Sequence, residues 1–185
     1  RLDMLGVKKE QLAPMWQDLN DCGFVSGQAY AKGLRTVKTC VGNVWCRFGT
    51  QDAMNMGITI EKLTWGSWTP HKFKIAVSGC PRNCAEATIK DLGIIGVDSG
   101  WEIHIAGNGG IKVRVTDFLC KVETDEQLLT YVKAFMQFYR EDAYYLERTA
   151  HWVERTGLQY VKDVMLDKQK VSYYANKFEI SQKSA

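Results

Sequence analysis

Val77-Ser78-Gly79-Cys80-Pro81-Arg82-Asn83-Cys84-Ala85-Glu86-Ala87 carries two of the chain's six cysteines, in a C-x3-C pair. An apolar run over residues 73–78 leads into it and reads as a strand. Pro81 stands where the first turn of a short helix would begin. Upstream, Cys40-Val41-Gly42-Asn43-Val44-Trp45-Cys46 supplies a second pair, spaced C-x5-C. Four thiolates are the usual ligand set of a cubane iron–sulfur cluster.

The neighbours suit that chemistry. A cluster with its thiolates is anionic and needs backbone N–H donors near the sulfurs. Gly42 and Gly79 let the backbone come close. A helix starting after Cys80 would aim N–H groups and a positive dipole end at the cluster. Trp45, Phe48 and Met54 are candidates to shield it from water, which tunes its potential. Zinc also takes four cysteines, although its structural sites favour C-x2-4-C pairs. Cys22 and Cys120 belong to neither pair and are expected to be ordinary buried cysteines.

Outward from the cysteines, the pattern is α+β. Residues 9–19 read as a helix, with Leu12, Met15, Trp16 and Leu19 on one face, and residues 1–7 alternate like a short strand. Ala53, Met56, Ile60 and Leu63 keep helical spacing, which Gly57 weakens. Residues 92–97 and 101–106 read as strands joined by the turn Asp98-Ser99-Gly100. Gly107-Asn108-Gly109-Gly110 is a second turn, and residues 111–115 are expected to pair back. Thr124 and Gln127 have capping-box spacing at the start of a long C-terminal helix. Its buried stripe is Leu128, Val132, Phe135, Tyr139, Ala143 and Leu146. Shorter helices follow around residues 151–155 and 158–166, and the polar tail from Asp167 is expected to fray. The expected architecture is a mainly antiparallel sheet with flanking helices. Residues 1–30 are read as the tail of a preceding half-domain or a linker, 31–168 as the cluster domain, and 169–185 as a polar tail.

The chain has 185 residues, 45% of them hydrophobic, enough for a packed core. A net charge of +3 with scattered Lys and Arg argues against nucleic-acid binding. No apolar run approaches the length of a membrane span. Six cysteines outside the framework of a small secreted domain point to reduced thiols and a cytoplasmic setting. An Arg at position 1 suggests a piece of a longer protein. His71, His104 and His151 are isolated, and none is assigned to catalysis.

Residues 34–40, 46–49 and 77–87, together with Asp91-Leu92-Gly93-Ile94-Ile95-Gly96-Val97 and Gly107-Asn108-Gly109-Gly110, resemble the sulfite/nitrite reductase family. Within it the chain looks most like the large subunits of NAD(P)H-dependent, assimilatory-type enzymes. The resemblance covers roughly residues 1–166. It implies the second-half domain of that fold, a 4Fe-4S cluster held by Cys40, Cys46, Cys80 and Cys84, and a sirohaem. It also implies that Cys84 is shared, ligating the cluster and the sirohaem iron, so that it is the catalytic position. The implied reaction is six-electron reduction of nitrite to ammonium, within nitrate assimilation. Pro81-Arg82-Asn83 stands where sulfite reductases often have Pro-Asn-Gly, which favours nitrite over sulfite.

Sirohaem carries many carboxylates. Arg35, Lys38, Arg47, Arg82 and Asn83 lie near the cysteines and are its candidate partners; a plain solvated role is equally open for each. The Gly107 loop can be read either as N–H donors facing the cofactor or as a tight hairpin turn. No dinucleotide fingerprint is present, so FAD and NAD(P)H are expected on upstream domains of the same subunit, with a small subunit as a further partner. The chain alone is expected to be inactive. A sulfite reductase piece, a non-enzymatic electron-transfer module and a zinc-binding module are the alternatives.

Overall fold

The computed structural model describes residues 4–24 and 32–183. Its frame is a five-stranded sheet of β1 (Leu34–Thr39), β2 (Phe73–Ser78), β3 (Leu92–Val97), β4 (Gly100–Ile105) and β7 (Asp117–Val122), adjacent in that order. Strands β1, β2 and β3 are mutually parallel, while β3, β4 and β7 run antiparallel. The α+β expectation holds, but the sheet is mixed, and only its β3–β4–β7 half is antiparallel. The reason lies in the connections. Parallel neighbours need a long crossover, and the two cysteine segments are those crossovers.

One face of the sheet presents Ile75, Val77, Ile94 and Ile103 to the main core. Helix α3 (Ala53–Thr64) covers its β1–β2 side. Asp52 caps that helix by accepting from the Asn55 N–H at 3.1 Å. Ala53, Met56 and Ile60 are buried, as their spacing predicts. Gly57 belongs here for a packing reason: a Cβ would sit 2.0 Å from Cγ2 of Thr39. Its lack of a side chain lets the helix lie down on β1.

Helix α4 (Asp125–Asp142) starts at Thr124, whose hydroxyl accepts from the Gln127 N–H at 3.3 Å. The Gln127 side chain reaches one residue further back than a strict capping box, to the Glu123 N–H at 3.0 Å. Leu128, Val132, Phe135 and Tyr139 are buried as expected. The stripe stops there. Ala143 has extended backbone and ends the helix, and Leu146 is exposed with φ of 65°. Tyr139 meets the Phe73 ring at 5.8 Å and the Trp152 ring at 5.5 Å, tying α4 to β2 and to α5 (Thr149–Thr156). Such ring pairs contribute about 0.5–1.5 kcal/mol beyond area burial.

Three expectations are corrected. Residues 111–115 do not extend the sheet. Val113–Arg114 (β6) pairs only with Asn108–Gly109 (β5), and the strand beside β4 is β7. Leu119 and Cys120 are adjacent and both buried where the β4–β7 register shifts, so β7 lacks the strict alternation that marks a strand in sequence. Residues 4–7 form no strand, and residues 1–3 lie outside the described residues; α1 (Leu12–Asp21) takes the expected helical place. The chain beyond Asp167 is not frayed. After α6 (Leu158–Met165) it forms α7 (Lys168–Lys183), which buries Val171, Ala175 and Phe178 along α4. Lys177–Glu141 at 2.9 Å and Lys133–Glu179 at 2.5 Å flank that seam.

Asp91 is fully buried at the start of β3. It accepts from Arg148 Nη2 on both oxygens at 3.0 and 2.9 Å, from the Thr149 hydroxyl at 2.5 Å and from the Lys74 N–H at 2.9 Å. Burial pushes its carboxyl up from the ordinary aspartate range, and the Arg148 guanidinium opposes that. The group clamps the entry of β3 to β2 and to the start of α5.

Candidate metal centre

Both cysteine pairs leave the sheet at the carboxyl ends of parallel strands. Thr39 pairs with Val77, so Cys40 emerges beside Val77, Ser78, Gly79 and Cys80. Carboxyl ends of parallel strands are where open α/β sheets place their ligands. The Cys40 N–H donates to Val77 O at 3.2 Å. In return, the Gly79 N–H donates to Cys40 Sγ at 3.1 Å. Hydrogen bonds to the sulfurs are among the features that set the potential of an iron–sulfur centre.

After Cys40 the chain makes a single helical turn, α2 (Gly42–Trp45), and Cys46 follows it in extended conformation. Residues 49–52 then lace the two pairs together. The N–H groups of Thr50 and Gln51 and the Thr50 hydroxyl all donate to Gly79 O, at 2.8, 3.0 and 2.9 Å. The Asn43 N–H donates to Gln51 O at 3.0 Å. Two glycines make this closeness possible. Gly42 has φ of 66°, and a Cβ on it would lie 2.7 Å from the Ala53 nitrogen. A Cβ on Gly79 would lie 2.7 Å from Gln51 O and 3.0 Å from the Gly42 Cα.

No helix starts after Cys80, contrary to expectation. Residues 80–86 make successive turns, and the only helical piece there is a 3-10 turn, Ala87–Ile89. Asn83 and Glu86 are left-handed, with φ of 56° and 61°. Asn83 Oδ1 accepts from the Ala87 N–H at 2.6 Å, and Asn83 Nδ2 donates to Thr88 Oγ1 at 2.7 Å. Ser78 Oγ accepts from the Ala85 N–H at 3.1 Å. Two left-handed residues, with the turns held by the Asn83 and Ser78 side chains, stand where the helix was expected. Ala85 and Ala87 pack under the turns against Ala76 and Ile95.

The four thiols are unequal. All are free, with Cys80 buried, Cys40 and Cys46 half-buried, and Cys84 exposed. Among the described residues, no three His, Cys, Asp or Glu side chains converge closely enough to hold a single metal ion. A zinc site needs four donors about 2.0–2.3 Å from one point, whereas a four-iron core is a larger body that keeps its thiolates further apart. Four Cys thiols carried on two laced loops, with a backbone donor on one sulfur, are a donor set that could hold such a cluster.

The other candidates fall into distinct places. Arg82 is exposed, with its guanidinium 3.9 Å from the centre of the Phe48 ring, and Arg47 reaches the same ring at 4.5 Å. Lys38 pairs with Glu86 at 2.9 Å, and Lys90 joins the same carboxylate at 3.2 Å. Those two lysines hold the Glu86 carboxyl below its ordinary range. Arg35 lies half-buried on β1. Asn83 is tied into its own loop, as described. Trp45 is 76% exposed and Phe48 44%, so the expected shield is open to solvent; Met54 is half-buried. The Gly107 loop forms the β5–β6 hairpin. His104 lies beside Glu102 and Phe118 on the sheet.

Cys120 is buried as expected; burial pushes its thiol up to about 11. Cys22 is exposed, because α1 buries no residue. The roles of Ser78, Thr50 and Gln51 were missed from sequence. A Gly-Thr-Gln-Asp run ahead of a helix looks like an ordinary cap, and nothing local shows that its N–H groups reach another loop. Among the described residues, no helix is long and apolar enough to cross a membrane.

The family model described as the nitrite and sulphite reductase 4Fe-4S domain matches residues 30–172. A Bacillus subtilis (strain 168) protein named NAD(P)H nitrite reductase is 56% identical over 170 residues, covering 92% of this chain and 21% of that protein. The chain thus spans about a fifth of that relative's length. An assimilatory-type sulfite reductase of Nitratidesulfovibrio vulgaris is 34% identical over 166 residues, covering 90% of this chain and 75% of that protein. Among solved structures, dissimilatory sulfite reductase I superposes with a TM-score of 0.78 at 14% identity, over 87% of this chain and 58% of that one.

Proposed function

The chain belongs to the nitrite and sulphite reductase 4Fe-4S domain family, and from that membership we propose that it is the cluster- and sirohaem-binding segment of an NAD(P)H-dependent nitrite reductase. Cys40, Cys46, Cys80 and Cys84 hold the cluster. The observation that carries the finer assignment is the exposure of Cys84 beside a buried Cys80. A thiolate that must face a second iron cannot be walled in, and Cys84 alone among the four stands open. When bound, the cluster supplies single electrons and the sirohaem an open iron position for the substrate.

This chain's own residues supply the frame. Gly79 donates to a ligand sulfur, the 49–52 loop fixes the distance between the pairs, and Ser78 with Asn83 fixes the turn that presents Cys84. Arg35, Lys38, Arg47 and Arg82 offer positive charge to cofactor carboxylates from β1 and the two loops. Asn83 contributes by shaping the loop. Nitrite is the preferred substrate on two grounds: Pro81-Arg82-Asn83 departs from the sulfite pattern, and identity is higher to a relative named for nitrite than to one named for sulfite. FAD and NAD(P)H bind domains elsewhere in the longer polypeptide, residues 1–30 lead in from its preceding half, and a small subunit is a further partner.

The test is anaerobic reconstitution with iron and sulfide, followed by addition of sirohaem, read by absorption and by iron, sulfide and zinc analysis. About four irons and four sulfides per chain, with a sirohaem band perturbed by the cluster, are expected. Stoichiometric zinc without iron would overturn the assignment.

A further inference from the structure

Phe48 joins the two cysteine segments. It lies two residues after Cys46, and its ring carries the Arg82 guanidinium at 3.9 Å and that of Arg47 at 4.5 Å. Arg47 directly follows one proposed ligand, and Arg82 lies between two others. Among the described residues neither guanidinium is ion-paired; the carboxylate nearby, Glu86, is taken by Lys38 and Lys90.

Two cations held together on an exposed surface without a counter-charge need a reason. Each guanidinium repels the other, and each gives up rotamer entropy when fixed. A cation–π contact at an exposed site returns less than that entropy costs. In the chain alone the stack is therefore marginal. An anionic centre beside it changes that balance, because both cations then gain a partner. Arginine suits such a place, since its charge does not titrate in the working range.

We infer that the Arg47–Phe48–Arg82 stack is a positioning device that holds two fixed positive charges beside the cluster and raises its reduction potential. The inference rests on the cluster assignment made above. Reduction adds one electron to an anionic centre, so neighbouring cations stabilise the reduced form more than the oxidised form. Net charge around the cluster is one of the levers that set its potential. Phe48 touches neither electron nor substrate. It acts by keeping the arginines in place.

The experiment is a spectroscopic redox titration of the reconstituted protein, with iron and sulfide content measured on the same samples. Arg82→Gln should lower the one-electron reduction equilibrium constant on the order of tenfold, or about 59 mV. That shift should shrink at high salt, as a charge effect does. Phe48→Leu should move the potential in the same direction by less, because the charges remain but are released. Phe48→Tyr, which keeps the ring, should retain the wild-type value. Fully loaded Arg82→Gln and Phe48→Leu proteins with wild-type potentials would overturn the inference. Should Phe48→Leu fail to load, Arg82→Gln and Phe48→Tyr decide it by the same criteria. A wild-type protein that takes up no iron would instead overturn the cluster assignment itself.

Discussion

The Gly79 N–H donates to Cys40 Sγ across 3.1 Å, a direct hydrogen bond between the two cysteine segments. It depends on Gly79 having no side chain, because a Cβ would meet Gln51 O at 2.7 Å and the Gly42 Cα at 3.0 Å. Both obstacles are backbone and cannot swing aside. Gly79→Ala should therefore separate the segments and cut iron incorporation by more than half, on the scale of about 1–3 kcal/mol for a forced core shift. Iron and sulfide content after reconstitution measures it, with circular dichroism showing that the sheet survives.

The cysteines should separate into three behaviours. Cys40→Ser, Cys46→Ser and Cys80→Ser each remove a ligand that faces only the cluster, and each should abolish stable cluster uptake. Cys84→Ser should leave the fold intact, because the exposed thiol carries no packing, and, as a ligand of both centres, should weaken cluster uptake and lose the spectroscopic coupling to added sirohaem. Cys120→Ser and Cys22→Ser should load normally. Cys120→Ser should lower the thermal midpoint by a few degrees, since it places a hydroxyl in a core position. The isolated chain, loaded or not, should not turn over nitrite with a chemical reductant. Ammonium formation by it would contradict that.

Asp91 is the most consequential polar residue away from the cysteines. Asp91→Ala leaves the Arg148 guanidinium, the Thr149 hydroxyl and the Lys74 N–H without their acceptor at a fully buried position. Breaking a buried pair in this way costs about 3–5 kcal/mol. The expected result is a large drop in the urea midpoint at unchanged slope. Arg148→Met should cost less than Asp91→Ala, because it leaves Asp91 with two of its donors and lets the carboxyl protonate.

Much of the site was legible in the sequence because ligand chemistry depends on residue type and spacing. Cys40, Cys46, Cys80 and Cys84 could be read directly, as could β2 and α3, whose apolar residues repeat with a clear period, and β3, which is a continuous apolar run. The support of the site was hidden. The left-handed turns at Asn83 and Glu86 replace the expected helix, because a Pro after Cys80 is compatible with either. The parallel pairing of β1 with β2 depends on a crossover, not on any local pattern. Helix α7 was misread as a tail because its buried residues, Val171, Ala175 and Phe178, are scattered among Lys, Gln, Ser, Asn and Glu, and Ile180 breaks their stripe. They are buried only because α4 offers them a surface.

That correction carries its own test. Phe178 is fully buried under α4, with the Arg140 guanidinium 4.8 Å from its ring. Phe178→Ala should cost about 3–5 kcal/mol. A frayed tail would give nearly nothing. Thermal unfolding of this variant, and of a chain ending after Leu166, distinguishes the two, and both should be strongly destabilised.

Acid should weaken the hold of the loop after α4 on α5 through Glu147. Its carboxylate accepts from Arg155 Nε at 2.7 Å, from Arg155 Nη2 at 2.8 Å and from the Tyr144 N–H at 2.9 Å. The Arg155 hydrogen bonds hold the carboxyl below its ordinary range. A depressed folded pKa means that the unfolded chain takes up the proton first as pH falls. The stabilisation is therefore fully present above the unfolded glutamate value of about 4.3 and is lost as pH falls through the lower folded value. Glu147→Gln removes the charge at every pH. The difference in thermal midpoint between wild type and Glu147→Gln should be constant above about pH 5.5 and should shrink steadily below about pH 4.3. Glu179, held low by Lys133, titrates in both proteins and cancels from the difference. A gap that stayed constant down to pH 3 would show that Glu147 contributes through shape alone and not through its charge.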